Sequence, residues 1–343
     1  MTDPGAIGPA VRQTRWAGLE AVTLENAALR VTVVPALGGH VAELVDLATG
    51  RDLLWRNPRL TPRPAPYGAW FDDWWSGGWD EIFPSGDQGR LHGETLPYMG
   101  ELWCVPWRVE AGTGTDRGSR VAWIDGSVQA TIAPARFERR LELRDDEPVL
   151  RVHYRIRSLD VRPLPFTWGI HPAFAVTPAH RIHHPGHEML VGVASDPSMG
   201  IAGTGYRWPG LPDPSSPGGV RNAAIVRPRE DAVFGGHWAV DLPEGWLALT
   251  DTAAGRGVAL TFDRAVFPHA WLWQVYGGWR GHHHLALEAW TSHPMELEAA
   301  VDAGRARVLQ PGETLATDVA FVLFGGLATV GHVGGEAEGF TVR

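Results

Sequence analysis

Three segments of this chain concentrate side chains that can move protons or hold a polar ligand. The first is Pro165-Phe166-Thr167-Trp168-Gly169-Ile170-His171-Pro172-Ala173-Phe174. Strand alternation places Phe166, Trp168 and Ile170 on one face and Thr167, Gly169 and His171 on the other. The apolar set goes to the core, which leaves His171 on the opposite face beside a residue without a side chain. Pro172 holds the His171 backbone extended. His171 is thus a candidate acid or base, with a purely structural histidine as the alternative. The second segment is His282-His283-His284-Leu285-Ala286-Leu287-Glu288-Ala289-Trp290-Thr291-Ser292-His293-Pro294. Leu285, Leu287 and Ala289 share the packed face, and His284, Ala286, Glu288 and Trp290 the other. A mid-strand carboxylate flanked by small residues and an indole suits a base of tuned pKa. The alternative is a glutamate facing solvent. Just upstream, Trp271-Leu272-Trp273-Gln274-Val275-Tyr276-Gly277-Gly278-Trp279 adds an aromatic strand. Trp273, Gln274 and Trp290 stand as candidate ligand contacts.

The third segment runs from Trp70 to Trp107 and includes Trp74-Trp75-Ser76-Gly77-Gly78-Trp79-Asp80-Glu81 and Leu91-His92-Gly93-Glu94. Aromatics interleaved with carboxylates cannot all lie in a regular buried strand without stranding charge. Loops that set Trp74, Trp79, Asp80, Glu81 and His92 beside aromatic platforms are expected, or else a Trp-rich loop that merely closes one end of the fold. Indole faces pack against the C–H faces of sugar rings, and an indole N–H bonds a hydroxyl. The chain has seventeen tryptophans against five tyrosines, and most of them are expected in the core. Two histidine groups, His180/His183/His184/His187 and His282/His283/His284, invite a metal reading. Zinc needs converging, well-supported ligands, and the sequence reads these as solvated loop histidines, with no metal expected. No phosphate-cradling loop, dinucleotide fingerprint or nucleophile elbow is present, and no cofactor is expected.

The elements that must position these groups read as strands. Leu29–Val34 alternates, and Gly38-Gly39 then breaks the run. Val41–Val45, Arg139–Leu143, Leu150–Ile156, Trp246–Leu249, Val258–Phe262 and Val319–Leu323 follow as further strand candidates. The 42 glycines and 27 prolines disfavour long helices and suit strands joined by turns. An all-β fold of two large antiparallel sheets packed face to face is expected. Strands resume on both sides of the Gly/Pro-rich stretch 192–222, which reads as a long loop within a single domain spanning 1–343, its core about 20–325.

Bulk composition narrows the partners. A net charge of -9 without a Lys/Arg run disfavours nucleic acid. No stretch approaches the roughly 18 apolar residues that span a bilayer. The start of the chain lacks a signal-peptide pattern, and Cys104 has no second cysteine to pair with, so a cytoplasmic location is expected. The oligomeric state is not readable.

Taken in order, the motifs resemble the aldose 1-epimerase (galactose mutarotase-like) superfamily. Val34-Pro35-Ala36-Leu37-Gly38-Gly39 with Asp46–Leu54 is similar to its N-terminal hairpin. Gly77-Gly78-Trp79-Asp80-Glu81-Ile82-Phe83-Pro84 resembles its substrate loop, and Ile170-His171-Pro172-Ala173-Phe174 its histidine segment. Leu287-Glu288 with Thr291-Ser292-His293-Pro294 resembles the glutamate segment, and Leu309-Gln310-Pro311-Gly312-Glu313 the turn before the last strands. The resemblance implies a β-supersandwich with a sugar groove on one sheet and no cofactor. Glu288 would take the proton of the anomeric hydroxyl while His171 protonates the ring oxygen. It also implies a second, ring-binding histidine in a His-Gly pair before a tryptophan. His92-Gly93 fits that pair, whereas Met99-Gly100-Glu101-Leu102-Trp103 fits the tryptophan spacing with methionine in place of histidine. The role goes to His92. Two other readings stay open: a non-catalytic sugar-binding or sensing protein, and a glycosidase or lyase relative.

Overall fold

The computed structural model of the protein describes residues 8–145, 147–213, 215, 217–336 and 339–343. Two large antiparallel sheets dominate it. The first runs, edge to edge, through Ala10–Trp16, Leu19–Glu25, Leu29–Val34, His40–Asp46, Trp79–Ile82, Gly169–Ala175, His283–Trp290, His269–Tyr276, Val233–Ala239, Glu188–Ala194 and Gly205–Arg207. The second runs through His180–His183, Trp246–Asp251, Arg256–Phe262, Thr314–Gly325, Val149–Ser158, Ala135–Arg144, Ser119–Gln129 and Arg108–Asp116. One apolar cluster takes Val31, Leu44, Ile170, Leu272 and Leu287 from the first sheet and Leu141, Val152, Leu260 and Phe321 from the second. The sheets therefore bury their facing sides against each other, as alternation in strand after strand requires. The strand candidates from Leu29–Val34 to Val319–Leu323 each fall inside one of these strands, whereas the segment 165–174 is split: Leu164–Phe166 pairs with Arg307–Leu309 in a small separate sheet, and Gly169–Ala175 joins the first sheet.

The α-helices, Phe71–Trp74 and Leu297–Asp302, are both short. No helix of the described residues is long and apolar enough to cross a membrane. Two expectations need correction. The stretch 192–222 is not a plain loop: it contributes an edge strand, Gly205–Arg207, and a hairpin of Gly210–Pro212 with Val220–Asn222. Nor are the histidine groups solvated loops. His180–His183 forms the edge strand of the second sheet, and His184 is buried under Trp208 with ring centroids 4.3 Å apart. His282 and His284 are buried at the start of a central strand.

Pairing in the middle of the first sheet determines which side chains meet. Ile170 pairs with Ala289 and Ala173 with Ala286, a register that sets His171 opposite Glu288. Pro172 donates no hydrogen bond, and the ladder is interrupted there. On the other side His171 pairs directly with Asp80. Val41 pairs with Trp79, which brings His40 level with Asp80. Glu288 pairs with Trp271, and Trp271 with Trp238. Six strands thus deliver one row across the outer face: His40, Asp80, His171, Glu288, Trp271, Trp238.

Candidate active site

At the centre of this row, His171 Nδ1 lies 2.9 Å from Glu288 Oε1. The approach is a close ion pair whose angles fall short of an aligned hydrogen bond, so neither atom has its bonding capacity filled. The other carboxylate oxygen of Glu288 accepts from Trp290 Nε1 at 2.8 Å. Beside them, Asp80 is held at both oxygens, by His40 Nδ1 at 2.8 Å and by Trp75 Nε1 at 3.2 Å. Gly78 makes the first of these contacts possible. It sits at φ +78°, and a Cβ there would come within 2.4 Å of the His40 ring. His171 is 3% exposed and Glu288 1%. Burial pulls the His171 pKa down, but the Glu288 carboxylate, with Asp80 and Asp72, outweighs it and the net direction is up. The pair sets an imidazole of raised pKa directly against a carboxylate, the two groups that acid–base chemistry requires side by side.

Aromatic side chains surround the pair. Trp75 and Phe71 approach the His171 ring at 5.3 and 6.0 Å between centroids, and Trp55 lies 5.3 Å from Trp75. Trp55, Phe71, Trp75, Trp103, Trp238, Trp271 and Trp290 form one buried cluster on this face. Trp271 lies flat on the sheet because Gly236 beneath it has no side chain: a Cβ there would be 1.9 Å from the indole. Trp273 lies parallel to Trp271, with planes 9° apart and centroids 6.5 Å apart. A cleft beside Asp80 is lined by His40, Arg63, Trp74, Trp75 and Trp103 and holds about 20 Å³. Small-molecule sites typically offer ~300–1,000 Å³. The aromatic cover lies closed over the acid–base pair.

The structure brings together His171, Glu288, Asp80 and Trp290, with Trp74 and Trp273 at the rim of the same cluster. It separates four other candidates from them. Trp79 and Glu81 alternate with Asp80 and point between the sheets. Trp79 packs on Phe321 at 4.7 Å, and Glu81 accepts from Arg139, Tyr154 and Trp168. Gln274 likewise faces the core, where Tyr276 donates to it at 3.1 Å. These three fail for one reason. In a strand only every second residue of a polar-aromatic motif reaches the groove, and the sequence reading placed Trp79, Glu81 and Gln274 on the wrong side. His92 stands in a hairpin turn with its Nε2 3.1 Å from Asp160, and none of its contacts reaches the pair. Met99, not His92, joins the aromatic cluster. Conversely, the sequence reading did not place His40, Trp55, Trp75, Trp238, Trp271 or His284 among the ligand contacts. For Trp271 and His284 a signal was present, since simple alternation puts Trp271 on the face of Trp273 and His284 on the face of Glu288. For His40, Trp55 and Trp238 only the strand order reveals it. Among the described residues no group of three or more His, Cys, Asp or Glu is placed to hold a metal ion.

No protein-family model matches the chain, and no curated protein matches it. Solved structures do. A Klebsiella pneumoniae protein provisionally named aldose 1-epimerase superposes with a TM-score of 0.71 at 14% identity, covering 92% of this chain and 83% of that one. A galactose mutarotase-like protein from Clostridium acetobutylicum gives 0.63 at 14% identity over 93% and 99%. A galactose mutarotase related enzyme from Lactobacillus acidophilus gives 0.58 at 13% identity over 89% and 97%. The two packed sheets and these near-complete superpositions make this chain's fold that of the galactose mutarotase-like proteins.

Proposed function

We propose that the protein is an aldose 1-epimerase-like isomerase that interconverts the anomers of a free sugar. The observation that carries this reading is the buried His171–Glu288 pair, an acid and a base 2.9 Å apart on the aromatic face of the first sheet. Mutarotation needs both at once on two oxygens of a single carbon. Glu288 takes the proton from the anomeric hydroxyl and imidazolium His171 gives one to the ring oxygen. The bond from the anomeric carbon to the ring oxygen then breaks, and the aldehyde forms. Rotation about the adjacent C–C bond and closure with the proton transfers reversed deliver the other anomer. No net proton is consumed. Positioned acid–base groups of this kind contribute roughly 10²–10⁴-fold each.

The aromatic cluster supplies the rest. Trp271 and Trp273 offer flat indole faces to the ring, and Asp80 offers an acceptor to a hydroxyl. A sugar reaches the pair by displacing the cover around Phe71 and Trp75, so cover opening precedes chemistry. A glycosidase would need two carboxylates flanking the scissile bond at about 5–9.5 Å. Glu81 points into the core, and the His171 ring stands between Asp80 and Glu288, which leaves that bond no place. A pure binding protein has no use for an acid–base couple. The test is anomer exchange by NMR over a panel of free aldoses, comparing wild type with Glu288→Gln. Acceleration by wild type alone supports the isomerase. Sugar binding without acceleration would replace it with the binding protein.

A further inference from the structure

On the same face as Glu288 and two steps of the alternation away stands His284, which the proposed reaction does not use. It is 0% exposed, and neither ring nitrogen has a hydrogen-bond partner among the described residues. Its ring lies 4.5 Å from Trp55 and 5.1 Å from Trp75, and the opposite side of the same Trp75 contact network holds His171 at 5.3 Å. An imidazole carries one donor and one acceptor when neutral. Leaving both unmet in a buried place costs free energy that a packed core avoids by using an apolar residue of similar shape. His284 is not alone. His40 Nε2 and Trp103 Nε1 are buried without a hydrogen-bond partner on this face too, while His171 Nδ1 and Glu288 Oε1 meet only in their ion pair. The set contains donors and acceptors but no guanidinium or ammonium.

We infer that His284 is a substrate-binding residue that hydrogen-bonds a ring hydroxyl of an unphosphorylated, uncharged sugar, with its ring packed against both Trp55 and Trp75. The inference rests on the isomerase reading and extends it to the substrate. Burial, together with His282 and His171 nearby, pushes the His284 pKa well below its ordinary value, so the ring stays neutral and offers both functions to a hydroxyl. A hydroxyl is a donor and an acceptor, and matches such a ring without requiring charge. A sugar phosphate would bring at least one negative charge beside the Asp80 and Glu288 carboxylates, and the nearest guanidiniums are held elsewhere: Arg63 lies over Trp74, Arg59 contacts His282 and Arg280 pairs with Asp73. The indoles of Trp55 and Trp75 that pack against His284 give its ring nitrogens no polar partner.

The test uses His284→Phe, which keeps shape and apolar packing, and His284→Gln, which restores a donor and an acceptor. Exchange rates are measured on the best free aldose, its monodeoxy analogues and its 6-phosphate. The expected result is a roughly 10- to 100-fold loss of kcat/KM in His284→Phe, carried mainly by KM, with partial recovery in His284→Gln. One monodeoxy analogue loses as much with wild type, and suffers no further loss with His284→Phe. The 6-phosphate is a poor substrate for every form. Unchanged kcat/KM in His284→Phe, or an equal loss on every analogue without this coupling, overturns the inference while leaving the isomerase intact. If wild type accelerates no aldose, the isomerase reading has failed separately. Quenching of tryptophan emission by the same sugars then decides on His284: binding that His284→Phe abolishes upholds it, and binding that ignores the substitution, or no binding, overturns it.

Discussion

Two glutamates of this chain, Glu81 and Glu288, are equally buried, at 1% exposure each, yet they face opposite sides of one sheet. Substituting them separates stability from chemistry. Glu81 accepts from Arg139 Nη1 at 3.0 Å, Tyr154 Oη at 2.7 Å and Trp168 Nε1 at 3.1 Å. Arg139 is itself buried, between Trp79 at 5.2 Å and Trp107 at 4.9 Å. Glu81→Gln leaves a guanidinium in the core without its counter-charge, a change that typically costs about 3–5 kcal/mol. At ~2–4 °C per kcal/mol for large domains, Tm should fall by about 6–20 °C. Because Glu81 points away from the groove, kcat for anomer exchange, measured well below the melting transition, should stay within about twofold of wild type. Glu288→Gln should do the reverse and abolish exchange. It removes the counter-charge of His171, but an imidazole, unlike a guanidinium, can shed its proton, and with the Trp290 bond kept Tm should move by only a few degrees. Thermal melts followed by circular dichroism, run beside exchange rates, decide it. A Glu81→Gln protein that melts like wild type but has lost kcat would refute the assignment of faces on which the site is built.

Other consequences follow from the same geometry. His171 gains its counter-charge from Glu288 on folding and its pKa is raised. Its stabilising contribution is therefore complete below its unfolded pKa of about 6.5 and disappears as pH rises through the higher folded value. The Tm difference between wild type and His171→Asn should shrink toward alkaline pH, and a constant difference would show that the pair carries no charge. Exchange should fall over the same interval as the acid is lost. Gly236→Ala drives a methyl into Trp271, where a Cβ would meet the indole at 1.9 Å. Overpacking of this kind costs about 1–3 kcal/mol, and sugar KM should rise as the platform tilts; an unchanged KM would remove Trp271 from the binding surface. His92→Ala breaks only the contact with Asp160 at 3.1 Å. Exchange should be unaffected and stability should change by less than about 1 kcal/mol; a loss of kcat would return His92 to the site.

Much of this was legible in the residues themselves. Alternation alone placed Phe166, Trp168 and Ile170 in the core and turned His171 outward. It likewise put Leu285, Leu287 and Ala289 against the second sheet and left Glu288 and Trp290 together. It said nothing about which strands are neighbours, and the site is a row across six of them. His40 reaches Asp80 only because its strand lies next to Trp79–Ile82. The Gly77-Gly78-Trp79-Asp80-Glu81 motif misled in the opposite way. Read as a loop, all its polar residues were available to a ligand. Folded as a strand, half of them serve the core, with Glu81 and Trp79 bracketing Arg139. Composition also could not show that His284 and His282 are buried, because a histidine triplet looks solvated until the indoles that cover it are placed. Nor could it show that the groove is closed by those same indoles.

The central claim is that His171 and Glu288 act as one acid–base couple on a sugar. Anomer exchange by NMR at equilibrium, with wild type, His171→Asn, Glu288→Gln and the opposite-face control Glu81→Gln, tests it most directly. The account predicts that wild type and Glu81→Gln accelerate exchange of at least one free aldose and that the other two, though folded, do not. Exchange that survives loss of either His171 or Glu288 would contradict it.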